Sequence, residues 1–353
     1  MRGDIDFHRR PLVLVWELTQ ACELACKHCR ADARPGRHPD ELTTAEGRQL
    51  LDDARAFGEG QLMVLSGGDP LARDDVVELV EYGTDLGLRM TLTPSGTASL
   101  TADRLGALAD AGLRRMALSV DGADAAAHDG FRGESGSFES TMAAAETARE
   151  LGIPLQINTT VCVETVEELP AIRDLVADLG AVLWSVFFLV PVGRGRVLTP
   201  ISPERAESVL AWLHDVSTAT PFGVKTTEAP HYRRVALEAD GGEGGVTRQL
   251  GVRAGKGFAF VSHTGETYPS GFLPQSAGNV RDRPVTDIYR HSELFERLRD
   301  DDALTGDCGV CRYRGVCGGS RSRAFARTGD PLAEDPLCAY EPTADGGRAA
   351  RSD

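Results

Sequence analysis

The sequence predicts an α/β protein with a parallel sheet, and three observations lead to that fold class. Six short apolar runs alternate with amphipathic helical stretches between residues 12 and 228. Loops rich in glycine, serine or cysteine follow several of the runs. Repeated strand–helix units place helices over a parallel sheet, which is either an open doubly wound sheet or a barrel. Hydroxyl side chains suited to N-capping precede or open the helical stretches at Thr44, Thr101, Ser137, Thr165 and Ser202.

Six segments have the length and the apolar character of buried strands, and a helical pattern follows each of them. In chain order they are LVLVWELT from Leu12, QLMVLSG from Gln61, RMTLTPSG from Arg89, RRMALSVDG from Arg114, PLQINTTV from Pro154 and VLWSVFFLVPVG from Val182. The extended segment GVKTTEA from Gly223 closes or extends the sheet. Farther along, FAFVSHTGETYPSGF from Phe258 predicts a hairpin with a turn at Thr264-Gly265, and a helix is expected from Thr286 to Arg299.

Composition divides the chain into two domains and a tail. Residues 1–240 contain the strand–helix units and are expected to form the core domain. The glycine-rich stretch DGGEGGVT from Asp240 marks a break, after which residues 241–345 are expected to form a smaller, loop-rich domain. Residues 346–353 are expected to be a flexible tail.

Charge and hydropathy exclude several classes of function. The formal net charge is −15 at pH 7, whereas binding to nucleic acid needs a basic face, so no nucleic-acid partner is expected. The chain has no run of about eighteen apolar residues, and its start, MRGDIDFHRR, lacks the apolar core of a secretory signal. We therefore expect a cytoplasmic protein without membrane contact. Seven of the eight cysteines fall in two groups, which in a reducing compartment indicates metal sites.

The first cysteine group consists of Cys22, Cys26 and Cys29, spaced CxxxCxxC directly after the first predicted strand. Three thiolates can hold three irons of a cubane cluster and leave the fourth iron open to an exchangeable ligand. The alternative is a structural zinc site to which His28 contributes. The carboxyl end of a strand beside glycine-rich loops favours the cluster, because parallel sheets carry their chemistry there.

Two motifs of the chain resemble those of the radical S-adenosylmethionine (SAM) superfamily. CELACKHC matches the CxxxCxxC signature, and SGGDP at residues 66–70 is similar to the glycine-glycine-acid-proline motif of that family. The resemblance implies a partial (β/α)6 barrel and a 4Fe–4S cluster on Cys22, Cys26 and Cys29, whose open iron chelates the methionine amino and carboxylate groups of SAM. It also implies reductive cleavage of SAM to a 5′-deoxyadenosyl radical.

Other loops of the predicted barrel contain the residues expected to bind SAM. The pair Gly67-Gly68 lets the backbone approach the methionyl ammonium, while Asp69 orients the loop. Ser119 and Asp121 are expected to form hydrogen bonds to ribose hydroxyls, and Asn158 to reach the methionyl end. The alternative for these polar residues is simple capping of the strand ends.

The second cysteine group comprises Cys308, Cys311, Cys317 and Cys338. Four cysteines can cap a cubane cluster fully, or hold one zinc ion as in a zinc ribbon. The segment from Phe258 to Tyr340 resembles SPASM and twitch domains, which carry auxiliary 4Fe–4S clusters in radical enzymes. The match is incomplete, because the seven-cysteine pattern requires further cysteines near Ser270 and shortly after Cys317. We therefore expect one auxiliary cluster.

Segments across nearly the whole chain, among them FFLVPVGRGR and CGVCRYRGVCGGSRSRAFA, resemble the haem-forming decarboxylases and their relatives. The resemblance implies oxidative decarboxylation of Fe-coproporphyrin III propionates to vinyl groups in haem b biosynthesis. The radical would remove a β-hydrogen and carbon dioxide would leave, after which the auxiliary cluster could accept the remaining electron. The alternative roles of the auxiliary cluster are to bind substrate or to stabilise the fold. The alternatives are another tetrapyrrole-modifying radical enzyme, a peptide maturase forming thioether or carbon–carbon crosslinks, and a non-catalytic zinc or iron–sulfur scaffold.

These interpretations imply a tetrapyrrole substrate, or a peptide in the maturase alternative, and a low-potential electron donor such as ferredoxin or flavodoxin. Because propionates are anionic, arginines are expected as carboxylate clamps. Candidate arginines are Arg194, Arg196, Arg233, Arg234, Arg321 and Arg323. His231 and His263 are candidate axial ligands of haem iron. Cys162, in the apolar segment VCV, is expected to be a buried small apolar residue.

Overall fold

The structure, a computed structural model, describes residues 5–241 and 251–342. Within these residues ten strands form one sheet. In chain order they are β1 (Val13–Glu17), β2 (Leu62–Ser66), β3 (Arg89–Leu92), β4 (Arg115–Ser119), β5 (Leu155–Val161), β6 (Leu183–Phe188), β7 (Gly223–Thr227), β8 (Arg253–Ala254), β9 (Gly257–Val261) and β10 (Thr267–Tyr268). All six predicted strands and the extended segment from Gly223 are confirmed.

The sheet has the order β10-β9-β1-β2-β3-β4-β5-β6-β7, with β8 beside β9. Every strand pair is parallel except β9 with β10. The parallel strands curl into a half-barrel, so the barrel rather than the flat doubly wound sheet is confirmed. Strands β1 and β2 end in step, because Glu17 lies opposite Ser66. Ser119 at the end of β4 lies opposite Asn158, and β5 continues to Val161. The loops that follow β1 and β2 therefore emerge side by side.

Helices cover the convex face of the half-barrel. In chain order the described residues form α1 (Thr44–Arg55), α2 (Val76–Asp85), α3 (Ala102–Asp110), α4 (Ala125–Arg132), α5 (Ser137–Glu150), α6 (Leu169–Asp178), α7 (Pro203–Ala219), α8 (Tyr232–Ala239), α9 (Val285–His291), α10 (Glu293–Arg299), α11 (Gly306–Val310) and α12 (Arg321–Thr328). Strand side chains alternate between two environments. Along β4, Met116 and Leu118 are fully buried in the core that the helices share, whereas Ala117 and Ser119 face the concave side.

Most predicted helix starts lie within one residue of the observed ones. Thr101 and Ser202 cap α3 and α7, each accepting a backbone N–H from the third helical residue. Helix α1 begins at Thr44, as expected, and Thr43 and Glu46 form a capping box before it. Helix α4 was not predicted. It follows β4 directly and ends at Gly133, which has a φ of 73°.

The expectation of one helix from Thr286 to Arg299 is wrong, because the segment forms two helices, α9 and α10. They meet at Ser292, whose backbone is extended. The Ser292 side chain accepts the backbone N–H of Phe295 at 3.4 Å. A serine that serves as an N-cap has non-helical backbone angles, and these interrupt the helical pattern.

The predicted hairpin after Phe258 is confirmed, but its strands join the main sheet. Strand β9 pairs with β1 in parallel and with β10 in antiparallel orientation, and Gly265 has a φ of 88° in the turn. The sheet thus continues across the boundary at residue 240, so the division into 1–240 and 241–345 stays a prediction. Residues 242–247 of the glycine-rich break and the tail at 346–353 lie outside the described residues.

No helix within the described residues combines the length and the apolar character that crossing a membrane requires.

Candidate functional site

The loops after β1 and β2 meet at the carboxyl end of the half-barrel. The backbone N–H of Gly68 donates to the carbonyl of Thr19 at 2.8 Å, and that of Asp69 donates to the carbonyl of Ala21 at 2.7 Å. These two hydrogen bonds attach the GGDP loop to the chain immediately before Cys22. The loop with the first cysteine group and the GGDP loop therefore form one surface.

The first cysteine group has the burial and the hydrogen bonding that an iron–sulfur cluster requires. Cys22 and Cys26 are buried, Cys29 is half-buried, and all three are free thiols. Backbone N–H groups lie 3.4 Å from the Cys22 sulfur and 3.5 Å from the Cys29 sulfur. Such contacts to sulfur tune protein-bound clusters. Burial raises the pKa of the Cys22 and Cys26 thiols, so a bound metal would replace protons on these sulfurs. The donor set fits a cubane cluster with one open iron.

The zinc alternative for this loop requires His28 as a ligand beside the cysteines. His28 instead stacks on Phe131, with ring centroids 4.9 Å apart, and its Nε2 lies 3.3 Å from Arg132 Nη1. Burial lowers the pKa of His28 to about 4, which keeps the imidazole neutral. These contacts give His28 a role in shaping the loop.

Two glycines are required where the GGDP loop crosses the first cysteine loop. A Cβ atom on Gly68 would lie 2.5 Å from the carbonyl oxygen of Ala21, and one on Gly67 would lie 2.6 Å from that of Thr19. Gly67 also has a φ of 154°. Backbone therefore approaches backbone here at a distance that no other residue allows. The result is a cradle of peptide groups beside the first cysteine group.

Asp69 holds this cradle in place. One carboxylate oxygen accepts the N–H groups of Leu71 at 3.1 Å and Ser95 at 3.4 Å, and the other accepts the Thr97 hydroxyl at 2.9 Å. Ser95 in turn donates its hydroxyl to the carbonyl of Gly68 at 2.9 Å. These partners are those of a residue that orients a loop, as the sequence predicts for Asp69.

The other predicted SAM-binding residues lie across the mouth of the half-barrel. Ser119 and Asn158 are cross-strand neighbours on the concave face, and both are partly exposed. Asp121 is buried: one of its oxygens accepts the N–H of Thr160 at 2.7 Å, and the other pairs with Arg132 at 3.2 Å. The Asn158 Oδ1 accepts a side-chain N–H from its own strand at 2.7 Å. Ser119 and the amide nitrogen of Asn158 are thus open to a ligand, whereas the Asp121 carboxylate is engaged by protein groups.

Arg132 is a further residue of this site, and the sequence did not predict it. It is buried in α4, and its Nη1 bridges Asp121 and His28 beneath the first cysteine loop. Its positive charge is close enough to Cys26 to favour the thiolate there. Arg132 lies in the segment FRGES. Its position beneath the first cysteine loop depends on α4, and the sequence pattern of α4 is too weak to predict that helix.

The four cysteines of the second group line one cavity of about 180 Å³. Backbone N–H groups donate to the sulfurs of Cys311 and Cys317, each at 3.4 Å. Arg321 Nη2 lies 3.5 Å from the Cys308 sulfur. Helix α12 separates Cys317 from Cys338. A shared cavity with polar contacts to sulfur fits one auxiliary cluster.

A carboxylate occupies the place where the seven-cysteine pattern would require a further ligand. The Ser270 hydroxyl donates to Glu228 Oε1 at 3.0 Å. Ser320 and Ser322, which follow Cys317, also donate their hydroxyls to Glu228. Glu228 directly follows β7 and has a φ of 55°, which is rare for a residue with a side chain. Three serines and a glutamate thus bind the second cysteine region to the half-barrel.

Structural contacts engage most of the arginines predicted as carboxylate clamps. Arg234 pairs with Glu207 and Glu238, and Arg323 pairs with Asp335. Arg321 donates to three backbone carbonyls, and Arg194 donates to one. Arg196 is exposed, and Arg233 is half-buried.

The two predicted haem ligands differ in their surroundings. His231 is completely buried beside Phe188, so haem iron has no access to it and this expectation is wrong. His263 Nδ1 lies 2.7 Å from Glu17 Oε1. Cys162 is fully buried against Phe131, as predicted, and burial raises its pKa to about 12.

The chain is similar to proteins of known family over almost its whole length. The profile of the radical SAM superfamily matches residues 16–176. The AdoMet-dependent heme synthase of Methanosarcina barkeri is 42% identical over 94% of this chain and 97% of its own length. The pre-heme d1 synthase of Dinoroseobacter shibae is 30% identical over 97% and 89%, respectively. The crystal structure of Streptococcus suis SuiB bound to S-adenosylmethionine has a TM-score of 0.74 at 18% identity and covers 94% of this chain and 78% of that one. The chain therefore belongs to the radical SAM superfamily, whose enzymes use a 4Fe–4S cluster and SAM.

Proposed function

We propose that this radical SAM enzyme converts propionate side chains of Fe-coproporphyrin III to vinyl groups and so forms haem b. The observation that carries the proposal is the 42% identity to an AdoMet-dependent heme synthase, 97% of which this chain covers. The two separate cysteine groups support it, because an oxidative decarboxylation needs one cluster to cleave SAM and benefits from a second that takes up an electron.

The first cluster would be held by Cys22, Cys26 and Cys29. When bound, it supplies the electron that cleaves SAM to methionine and the 5′-deoxyadenosyl radical. The peptide groups of Gly67 and Gly68 would receive the methionyl end, and Ser119 and Asn158 would face the cofactor from the concave side. Asp69 and Asp121 would act as positioning residues, since protein donors already engage both carboxylates.

The second cluster would be held by Cys308, Cys311, Cys317 and Cys338. Removal of a β-hydrogen and of carbon dioxide from a propionate leaves a vinyl group and one electron, and that electron requires an acceptor. A cluster ligated by four cysteines can change charge without changing ligands. We assign this role to the second group.

Reduction of the first cluster would come from a low-potential donor such as ferredoxin or flavodoxin. We place the reaction in the cytoplasm, because eight free cysteines suit a reducing compartment.

A second candidate is the modification of another tetrapyrrole. The similarity to a pre-heme d1 synthase, at 30% identity over 97% of this chain, favours it. The likeness to SuiB shows a shared fold alone and so lends the peptide-maturase alternative no support of its own.

The test is anaerobic turnover by cluster-loaded protein with SAM, a low-potential reductant and Fe-coproporphyrin III. We expect haem b and 5′-deoxyadenosine, detected by mass spectrometry. Deoxyadenosine without a change in the porphyrin would contradict the substrate and direct the search to other tetrapyrroles. If fully loaded protein formed neither product, the enzymatic proposal would fail.

A further inference from the structure

Lys225 is the most unusual basic residue of the concave face. The chain has three lysines among its 38 basic residues, and this one lies in the middle of β7. Its neighbour Val224 packs against the main hydrophobic core. Because successive side chains of a strand point to opposite faces, Lys225 points into the half-barrel.

The strand register places Lys225 level with the proposed cofactor site. Lys225 lies opposite Ser185 of β6, Ser185 lies opposite Asn158 of β5, and Asn158 lies opposite Ser119 of β4. Asn158 and Ser119 are the two partly exposed residues proposed to face SAM. A ligand that contacts Lys225 would therefore lie inside the half-barrel beside the cofactor.

Arg115 extends the positive charge across the concave face. It begins β4, where Met116 and Leu118 point to the core, so Arg115 points inward. Its Nε is buried and has no hydrogen-bond partner among the described residues. A buried donor without an acceptor is costly, by about 1–3 kcal/mol, unless a ligand supplies the acceptor.

Arg233 contributes a third positive charge. It lies in the first turn of α8, and its Nη1 donates to the carbonyl of Val316 at 3.4 Å, next to Cys317. Burial lowers the pKa of Arg233 to about 10. Burial, followed by the charges of Arg115 and Arg233, lowers the pKa of Lys225 to about 8. The Lys225 side chain is open to solvent within the half-barrel, but the surrounding walls leave its charge poorly hydrated.

These three cations lack the acidic partners that other basic groups of the same region have. Among the described residues, no carboxylate forms an ion pair with Arg115, Lys225 or Arg233, whereas Lys256 and Arg253 share Asp301. The Cys317 sulfur is an acidic group near Arg233, but three cations without a carboxylate partner in a protein of net charge −15 are not a consequence of composition. Mutual repulsion opposes this arrangement, and a bound anion would remove that cost.

We propose that Arg115, Lys225 and Arg233 form an anion-binding site on the concave face, the basic triad, and that it anchors carboxylate groups of the substrate. The identification of these carboxylates as porphyrin propionates rests on the proposed function, but the site does not. Arginine can grip a carboxylate through two parallel hydrogen bonds, while the lysine supplies a compact charge. The triad spans from β4 to the second cysteine group, so it would hold substrate between the two clusters.

The first test measures binding without turnover. Fe-coproporphyrin III is titrated into anaerobic, cluster-loaded protein, and its dissociation constant is obtained from the change in porphyrin absorbance. Lys225→Met should weaken binding about 10- to 100-fold, because a charge-assisted hydrogen bond is worth about 1.5–3 kcal/mol. Lys225→Arg should restore most of the loss. The control is Arg205→Gln. It removes an exposed arginine of α7 that pairs with Glu167, so the dissociation constant of the porphyrin should not change.

Two further arms identify which carboxylate the triad holds. The tetramethyl ester of the same porphyrin lacks carboxylates, so it should bind wild-type protein weakly and should not distinguish it from Lys225→Met. The dissociation constant of SAM should be equal in wild type and Lys225→Met. If SAM binding fell as much as porphyrin binding, the triad would serve the carboxylate of the cofactor, and the proposal would be overturned.

The second test labels wild-type protein, and citrate can replace the porphyrin as the protecting ligand. Wild-type protein is treated with acetic anhydride at pH 8, and acetylation of the three lysines is read by peptide mass spectrometry. Fe-coproporphyrin III, or citrate as a small tricarboxylate, should protect Lys225 while Lys27 and Lys256 remain unprotected. Protection by citrate without any porphyrin binding would keep the triad and overturn the proposed function. Porphyrin binding without protection of Lys225, and without loss in Lys225→Met, would overturn the triad and keep the function.

Discussion

At the scale of single residues, the GGDP loop shows how geometry specifies an amino acid. A Cβ atom on Gly68 would lie 2.5 Å from one backbone oxygen and 2.7 Å from another. This leaves no room for a side chain. The loop is joined to the first cysteine loop through backbone atoms that cannot rotate away. The same contacts that exclude a side chain create the cradle proposed for the methionyl end of SAM.

Gly68→Ala is expected to displace the loop. Overpacking against backbone costs about 1–3 kcal/mol, so the unfolding midpoint should fall and the dissociation constant of SAM should rise. The matched control is Gly106→Ala in α3, where a Cβ meets nothing within 4 Å and alanine favours the helix. Differential scanning calorimetry and equilibrium dialysis of SAM check the two effects. Equal SAM binding by the two variants would contradict the cradle.

The titration of Lys225 provides a pH-dependent prediction. Its pKa of about 8 lies below the ordinary lysine value, so acetylation of Lys225 in ligand-free protein should rise with a midpoint near pH 8. Between about pH 8 and the ordinary value of 10.5, the unfolded chain binds more protons at this site than the folded protein. The contribution of Lys225 to the free energy of unfolding therefore rises with pH in that window. The charged groups that act on the amine are Arg115 and Arg233. A labelling midpoint near 10.5 would contradict the enclosed position of Lys225.

Sequence reasoning at the residue level succeeded where spacing along the chain carries the information. Both cysteine groups and the GGDP loop are local motifs. The GGDP loop lies against the first cysteine loop, and the second group lines one cavity. Lys225 and Arg115 were missed for a physical reason. Their common direction depends on the register across β4 to β7, and no local pattern encodes that register.

At the scale of elements, strands were easier to predict than the pieces between them. The apolar runs that form β1 to β6 are buried on the convex face and bounded by turn residues, so their extent was clear. Helix α4 escaped notice because AAAHDGFR has a weak apolar pattern and its start depends on the Asp124 cap. The interruption at Ser292 was missed because one capping hydroxyl, rather than proline or glycine, breaks the helix.

The Glu228 cluster joins the end of β7 to the segment after Cys317. Glu228→Ala removes the acceptor for the hydroxyls of Ser270, Ser320 and Ser322, and buried donors left without acceptors cost about 1–3 kcal/mol. We expect a lower unfolding midpoint and less iron retained in the second cluster after gel filtration. The control is Glu167→Ala, which removes an exposed partner of Arg205 and should change stability by about 0.5 kcal/mol or less. Equal iron retention in both variants would show that Glu228 does not hold this segment.

At the scale of the whole molecule, the sheet organises both clusters around one concave space. The first cysteine group follows β1, the second lies beyond β7 and α8, and β9 returns to pair with β1. The basic triad lines the face between them. Under the proposed function, this arrangement would start the radical reaction at one end of the substrate and remove an electron at the other.

The division of labour between clusters predicts an uncoupled variant. Cys317→Ala removes a ligand of the second group and should lower the iron content by about four per chain. Cleavage of SAM should continue, because the first group is intact, while vinyl formation should stop. The control is Cys162→Ala. The Cys162 sulfur lies in an apolar cluster, so its removal should not change the iron content. Normal vinyl formation by iron-depleted Cys317→Ala would refute the electron-acceptor role.

We propose that a deoxyadenosyl radical formed at the carboxyl end of the half-barrel attacks a propionate held on its concave face. The most direct measurement uses Fe-coproporphyrin III deuterated at the propionate β-carbons, with anaerobic, cluster-loaded protein, SAM and a low-potential reductant. Mass spectrometry should find deuterium in 5′-deoxyadenosine together with haem b, one labelled nucleoside for each vinyl group formed. Unlabelled 5′-deoxyadenosine beside an unchanged porphyrin would contradict the claim.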